Sequence, residues 1–169
     1  MDELAQKLAA IVGIRNVIAG ASSEAEDFTH DEALHGEPSE PAFVVKPANA
    51  EEIAAILELA TDEGIAVTAR GSGSGLSGAA VADPGGIIVN FARMNKILAI
   101  DETNHTAVVQ PGVTLSELED ETAKHGLVYA VYPGEMSATI GGNIATNAGG
   151  MRAVRYGVTR ENVLGLQAV

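Results

Sequence analysis

Residues 69–78 read A-R-G-S-G-S-G-L-S-G, which sets Gly71, Gly73, Gly75 and Gly78 within eight positions, directly behind an apolar segment. Glycine reaches positive φ and lets the backbone approach a ligand closely. Successive N–H groups in such a loop converge into an anion-binding nest. Ser72, Ser74 and Ser77 add uncharged donors, and Arg70 opens the loop. The chemistry this composition suits is the cradling of a phosphate or pyrophosphate by main chain. The competing reading is a flexible surface turn, but ordinary turns use one or two glycines. Two familiar phosphate motifs are excluded. Gly73-x-Gly75-x-x-Gly78 has the letters of the dinucleotide fingerprint, which needs a long helix next and an acid at the end of the following strand. Here Asp83-Pro84-Gly85-Gly86 follows almost at once, and the next apolar run ends in Asn90. Gly73 to Gly78 also has the spacing of a triphosphatase P-loop, but Ala79-Ala80 stand where Lys and Ser/Thr would touch phosphate and magnesium.

A second glycine-rich stretch, residues 133–150, reads P-G-E-M-S-A-T-I-G-G-N-I-A-T-N-A-G-G. Pro133, Gly134, Gly141, Gly142, Gly149 and Gly150 are its turn points, and Ser137, Thr139, Asn143, Thr146 and Asn147 its uncharged hydrogen-bonding groups. A close-packed, polar, uncharged wall suits a flat heteroaromatic ring with several donors and acceptors. Equally, the Gly-Gly pairs let two elements pack tightly, and both readings stand at this point. His30, His35, His105 and His125 lie outside both stretches and read as surface or hairpin residues; Met94, Met136 and Met151 read as packing. No metal-ligating cluster and no catalytic dyad is visible.

These loops sit in a chain of 169 residues with 46% hydrophobic residues, enough for a globular domain with two lobes. Aromatics are only 4% and Trp is absent, so the core is aliphatic. Ten Lys and Arg against 23 Asp and Glu give a net charge of -13. Such a chain repels nucleic-acid backbones, and an anionic ligand has to be held by N–H groups rather than by a basic patch. With no cysteine there are no disulfides, Fe–S clusters or thiolate-zinc sites, which fits a reducing compartment. No apolar run approaches the length of a membrane span, and the acidic start MDELAQKLAAIVG is not a signal peptide.

The elements that position the loops follow from periodicity. Residues 2–12 read as a helix capped by Asp2, with Leu4, Leu8, Ile11 and Val12 on one face and Gly13 as its stop. Residues 20–41 read as loop. Ala42 to Val45 is a short strand, Asn49 to Glu63 a helix, Ile65 to Ala69 a second strand and Gly86 to Phe91 a third. Asn49 and Glu52 form a capping-box-like pair; Ile53, Ile56, Leu57 and Ala60 form the buried stripe and Gly64 the stop. This β-α-β order implies a parallel pair with a right-handed crossover. Ile97–Ile100 and Thr106–Gln110 read as a hairpin, Thr114–Lys124 as a helix with a Thr114–Glu117 capping box and Gly126 as its stop, and Leu127–Val131 and residues 163–169 as further strands. The expected fold is α+β and two-lobed: a small parallel β-α-β lobe, about 41–92, and a mixed or antiparallel lobe, about 96–169. An N-terminal helix and loop, residues 1–40, precede them. The apolar ending predicts a domain that is incomplete at its C-terminus.

Five stretches taken in order resemble the FAD-binding domain of the vanillyl-alcohol oxidase/p-cresol methylhydroxylase superfamily, and within it the branch of the glycolate oxidases and D-lactate dehydrogenases. They are P-A-F-V-V-K-P (41–47), R-G-S-G-S-G-L-S-G (70–78), V-V-Q-P-G-V-T-L-S-E-L (108–118), residues 133–150, and R-Y-G-V-T-R-E-N-V-L-G-L (155–166). The resemblance implies that 71–78 wraps the FAD pyrophosphate and 133–150 lines the flavin. The implied contacts are Arg70, Gly71, Ser72, Gly73, Ser74, Gly75, Ser77 and Gly78 in the first region. In the second they are Pro133, Gly134, Glu135, Ser137, Thr139, Gly141, Gly142, Asn143, Ala148, Gly149, Gly150 and Tyr156. Some members of the superfamily attach FAD through a His in the first loop; Ser74 stands at that place, which implies non-covalent FAD. Family members are much longer, and their cap domain carries most substrate-recognising groups and the usual catalytic His. The implied activity is oxidation of a small 2-hydroxy acid to the 2-keto acid by hydride transfer to FAD, with re-oxidation through an outside acceptor or an electron-accepting partner protein. The alternatives are a non-catalytic nucleotide-binding or assembly module, and a sugar or aldonolactone oxidase of the same superfamily. The expected location is cytoplasmic, with peripheral contact to the inner face of the membrane and self-association left open.

Overall fold

A computed structural model describes residues 3–169, and the chain divides into two compact units, Met1–Arg93 with Val169, and Met94–Ala168. The first unit opens with helix α1 (Glu3–Val12), which buries Ala5, Leu8 and Val12. The expected cap Asp2 lies outside the described residues. Strand β1 (Val17–Ala19) follows, then a 3-10 turn over Ser23–Phe28, strand β2 (Phe43–Val45), helix α2 (Ala50–Glu63) and strands β3 (Val67–Arg70) and β4 (Ile87–Asn90). The strands form one sheet in the order β1-β2-β4-β3. β4 runs parallel to both β2 and β3, and β1 adds an antiparallel edge.

Two features differ from expectation. β1 is only three residues long, too short for a periodic signal. And β2 and β3 are not paired directly, because β4 lies between them. All four residues of β4 are buried. A strand apolar on both faces belongs in the centre of a sheet with both faces covered, so Ile87–Asn90 displaces β3 to the edge.

Alternation along the strands builds two aliphatic layers. Phe43, Val45, Ile87 and Val89 pack with Leu8 and Val12 of α1 and Ile56 and Ala60 of α2. Val44 and Ile88 point the other way, onto Ile18, Ala25 and Ala82. Of the expected stripe on α2, Ile56 and Ala60 are fully buried while Ile53 and Leu57 are half-buried. Asn49 caps α2 through its side chain, which accepts from the Glu52 N–H at 2.8 Å. The Glu52 carboxylate reaches one residue further back than a capping box requires. It accepts from the Ala48 N–H at 2.7 Å and meets Arg93 Nη1 at 3.4 Å.

The second unit opens with the hairpin β5 (Ile97–Asp101) and β6 (Thr106–Val109), the antiparallel ladder the sequence predicts, with an irregular register between Ile97 and Ala99. Helix α3 (Leu115–Lys124) carries the expected box: Thr114 Oγ1 accepts from the Glu117 N–H, and the Glu117 carboxylate accepts from the Thr114 N–H at 2.8 Å. Two short helices follow, α4 (Ile140–Thr146) and α5 (Ala153–Tyr156). Val113, Leu115, Leu118 and Ile140 form the centre of this unit's core, with Ile97, Val109, Tyr129 and Met136 around them.

Neither Leu127–Val131 nor residues 163–169 forms a strand. Both are short apolar runs, but a strand exists only where a neighbour pairs with it, and among the described residues no ladder in this unit extends beyond β5 and β6. Conversely, α4 lies inside the second glycine-rich stretch, where no helix is expected. Thr139 caps its start and Asn147, left-handed at φ 50, ends it. Met94 and Met136 pack as expected, but Met151 is 80% exposed. No helix among the described residues is long and apolar enough to cross a membrane.

The α2 cap sets the first-unit stability in a measurable way. Asn49→Ala is expected to cost about 1 kcal/mol and Asn49→Gly only a few tenths, read from the midpoint of urea unfolding. An Ala variant as stable as the parent would show that the Glu52 N–H bond contributes nothing.

Candidate cofactor site

Strand β3 ends at Arg70 and delivers the chain directly into the first glycine loop. Ten consecutive N–H groups, Gly71 to Ala80, donate no hydrogen bond to any described residue. Helices and sheets normally leave few backbone donors idle, and this half-exposed run leaves ten of them open to an acceptor. The hydroxyls of Ser72 and Ser74 lie 3.3 Å apart within it. Gly73 and Gly78 hold positive φ, at 79 and 77, whereas Gly71 and Gly75 do not.

The loop is held from beneath by the arginine that opens it. Arg70 is 6% exposed, donating from Nη1 to the Ala80 carbonyl at 3.0 Å and from Nη2 to the Asp27 carbonyl at 2.8 Å. Its guanidinium lies over the Phe28 ring, 5.5 Å from the centroid. Burial pulls its pKa below the ordinary arginine value, and the nearby charges of Asp31 and Asp27 oppose that pull. A Cβ on Gly73 would run into this guanidinium. Arg70 thus turns its charge onto the loop and the 3-10 turn rather than toward an anion. Asn90, at the end of β4, fixes the loop's entry: its Nδ2 donates to the Gly71 carbonyl at 3.1 Å and to the Arg70 carbonyl at 3.3 Å. From the segment before β2, the Glu32 N–H donates to the Gly75 carbonyl at 2.9 Å.

In the second unit, residues 132–150 are drawn together by close backbone contact. A Cβ on Gly150 would overlap the Tyr132 carbonyl, and one on Gly141 would lie 2.9 Å from the Pro111 oxygen. These two glycines therefore serve tight packing. Pro133 and Gly134 begin the turn, and the Glu135 carboxylate accepts from the Ser137 N–H at 2.8 Å, which holds it below the ordinary carboxylate range. Thr139 Oγ1 accepts from the Gly142 N–H. Asn143 is 4% exposed and its Nδ2 has no partner among the described residues. An idle amide donor in a buried position costs free energy until it is paired, so Asn143 fits the ring-lining reading. Ala148 and Gly149 are braced by the 155–166 motif. Buried Thr159 donates from Oγ1 to the Ala148 carbonyl at 2.7 Å, and a Gly149 Cβ would meet Val158. Tyr156 is half-exposed under the Arg155 guanidinium.

The sequence reading missed Asn90, Asp31 and Phe28 as members of the first loop's support. The last two fall in residues read only as loop, far from the glycine loop along the chain, so no local spacing connects them to it. All four histidines are exposed, His125 paired with Glu102 at 2.6 Å. Among the described residues no group of three acids or histidines could hold a metal.

The model of the FAD binding domain matches residues 41–169. The chain belongs to this family. An FAD-linked oxidoreductase of Mycobacterium tuberculosis is 55% identical over all 169 residues of the chain, which make up 37% of that protein. A D-lactate dehydrogenase of Anaerostipes hadrus is 46% identical over 145 residues, 85% of this chain and 30% of that one. The chain thus spans less than two-fifths of the length of these relatives. Crystalline p-cresol methylhydroxylase with substrate bound superposes with a TM-score of 0.73 at 22% identity, covering 85% of this chain and 29% of that one, a likeness of fold. FAD is the cofactor of the family, and both observed features suit it: an idle backbone donor run for a pyrophosphate and a buried idle donor for a ring acceptor.

The geometry separates two glycines that the sequence treats alike. Gly73→Ala forces a side chain to positive φ, at roughly 1–2 kcal/mol, and against the Arg70 guanidinium, so FAD affinity of the full-length protein is expected to fall about tenfold or more. Gly75→Ala meets only ordinary contact at 3.6 Å from Asp31 and should cost much less. Equal losses, or none, would contradict the assignment of Gly73.

Proposed function

We propose that this chain is the cofactor-binding part of an enzyme that oxidises a small 2-hydroxy acid, of the glycolate or D-lactate type, to the 2-keto acid, with FAD held non-covalently. The observation that carries the reading is the run of idle N–H groups from Gly71 to Ala80 in a chain that belongs to the FAD-binding domain family. In a protein of net charge -13, main-chain donors offer an anion a seat without a basic patch. The relative named D-lactate dehydrogenase supports the substrate class.

The division of labour follows from the chemistry of the residues. Gly71–Gly78 and the hydroxyls of Ser72, Ser74 and Ser77 hold the pyrophosphate. Pro133, Gly134, Glu135, Ser137, Thr139, Asn143 and Gly149–Gly150 would line the ring, with the Asn143 amide free to donate to it. A bound flavin would supply the redox chemistry as hydride acceptor, while protein groups orient and exclude water. Ser74 has no ring nitrogen with which to form the linkage known for histidine. The groups that take the substrate's hydroxyl proton belong, in this reading, to the part of the longer relatives that the chain does not span, and re-oxidation would need an outside acceptor or a partner protein.

The test is made on the full-length protein. Acid precipitation should leave the yellow colour in the supernatant, and anaerobic D-lactate or glycolate should bleach the flavin absorption. Colour retained in the pellet would overturn the non-covalent assignment. Bleaching by sugars or aldonolactones alone would overturn the substrate class, and a flavoprotein reduced by neither would favour the non-catalytic module.

A further inference from the structure

The residues that brace the glycine loop include one whose chemistry is unspent. Asp31 lies before β2, outside the 41–169 stretch that the family covers. It is 8% exposed. Its Oδ1 accepts from the Ala33 N–H at 3.0 Å, but its Oδ2 is buried without a partner among the described residues. Burying an unpaired carboxylate oxygen is expensive, so its retention calls for a compensating partner. That oxygen lies on the side-chain face of Gly75, 3.6 Å from where a Cβ would stand. The next residue is already clipped to the loop, because the Glu32 N–H donates to the Gly75 carbonyl at 2.9 Å. On one side of this junction stands an idle buried acceptor. On the other stand the idle N–H groups of Gly71–Ala80.

We propose that Asp31 is a positioning residue of the cofactor loop, its Oδ2 accepting a loop donor beside Gly75 when the loop closes on the FAD pyrophosphate. The inference rests on the reading of 71–78 as the pyrophosphate cradle. The carboxylate does not touch the phosphates, which would repel it. It takes up a donor that points away from the ligand and thereby fixes the direction of those that point toward it. Its charge also lies close enough to favour the buried Arg70 cation under Gly73. The segment 27–32 then reaches the loop by three contacts: the Asp27 carbonyl and the Phe28 ring on Arg70, and the Glu32 N–H on Gly75. Asp31 makes a fourth in the liganded state.

The experiment compares Asp31→Ala, Asp31→Asn and the parent in the full-length protein. Two quantities are measured: the FAD dissociation constant by flavin fluorescence, and the melting temperature without and with FAD. Asp31→Ala should weaken FAD binding tenfold or more. Asp31→Asn, which keeps one carbonyl acceptor, should recover part of that loss. Asp31→Ala also loses the Oδ1 bond to the Ala33 N–H and the charge near Arg70, so its apoprotein melting temperature should fall. The decisive reading is the rise in melting temperature on adding FAD, which should be smaller in both variants than in the parent. Wild-type FAD affinity in a folded Asp31→Ala protein would overturn the proposal, and so would an FAD-induced rise in melting temperature equal in the parent and both variants. A parent protein that binds no FAD would instead overturn the cradle reading itself.

Discussion

A chain with 23 acidic and ten basic residues gains little by offering an anion its side chains. What its first glycine loop leaves open is main chain, and main-chain donors can serve a ligand only if they are kept from pairing within the protein. That constraint governs the first unit. β3 must stop at Arg70, level with Asn90 of its neighbour. The loop must then carry residues without side chains, and something must hold it open while its own N–H groups stay idle. The holding is done through carbonyls: Asn90 takes those of Arg70 and Gly71, Arg70 takes that of Ala80, and Glu32 takes that of Gly75. Every brace uses an acceptor of the loop and leaves its donors free.

The same constraint accounts for the buried arginine under the loop. Guanidinium burial is costly, and here it is offset by two carbonyl bonds, the face of Phe28 and the nearby charges of Asp27 and Asp31. The cation contributes shape first, filling the space that a Cβ on Gly73 would need. The central position of β4 serves the same end. Its four buried residues anchor the sheet, and its terminal Asn90 is thereby placed beside the start of the loop.

Much of this was legible in the sequence where the signal is local. The caps of α2 and α3, the β5–β6 hairpin and the apolar strands of the parallel sheet follow from residues within a few positions of one another. The first glycine loop was legible as an irregular segment behind a strand because its glycines are clustered. What was not legible depends on distant partners. Leu127–Val131 and residues 163–169 have the composition of strands but no neighbour to pair with among the described residues, and β1 has a neighbour but too few residues to announce itself. Arg70 read as a ligand contact because its motif places it there. Its engagement with Asp27, 43 residues earlier, is a property of the folded chain. In the second stretch the packing reading describes Gly141 and Gly150, where backbone passes too close for a side chain, and Asn143 keeps an idle buried donor that its composition alone does not announce.

The central claim is that the amides of Gly71–Ala80 are the ligands of the FAD pyrophosphate, and amide hydrogen exchange reads those groups one by one. In the full-length protein, exchange across this run should be fast without FAD, since these N–H groups have no partner to protect them, and should slow markedly once FAD is bound, while the amides of α3 stay unchanged. If FAD binds stoichiometrically and the amides of 71–80 exchange as fast as before, the pyrophosphate is held elsewhere and these amides are not its ligands.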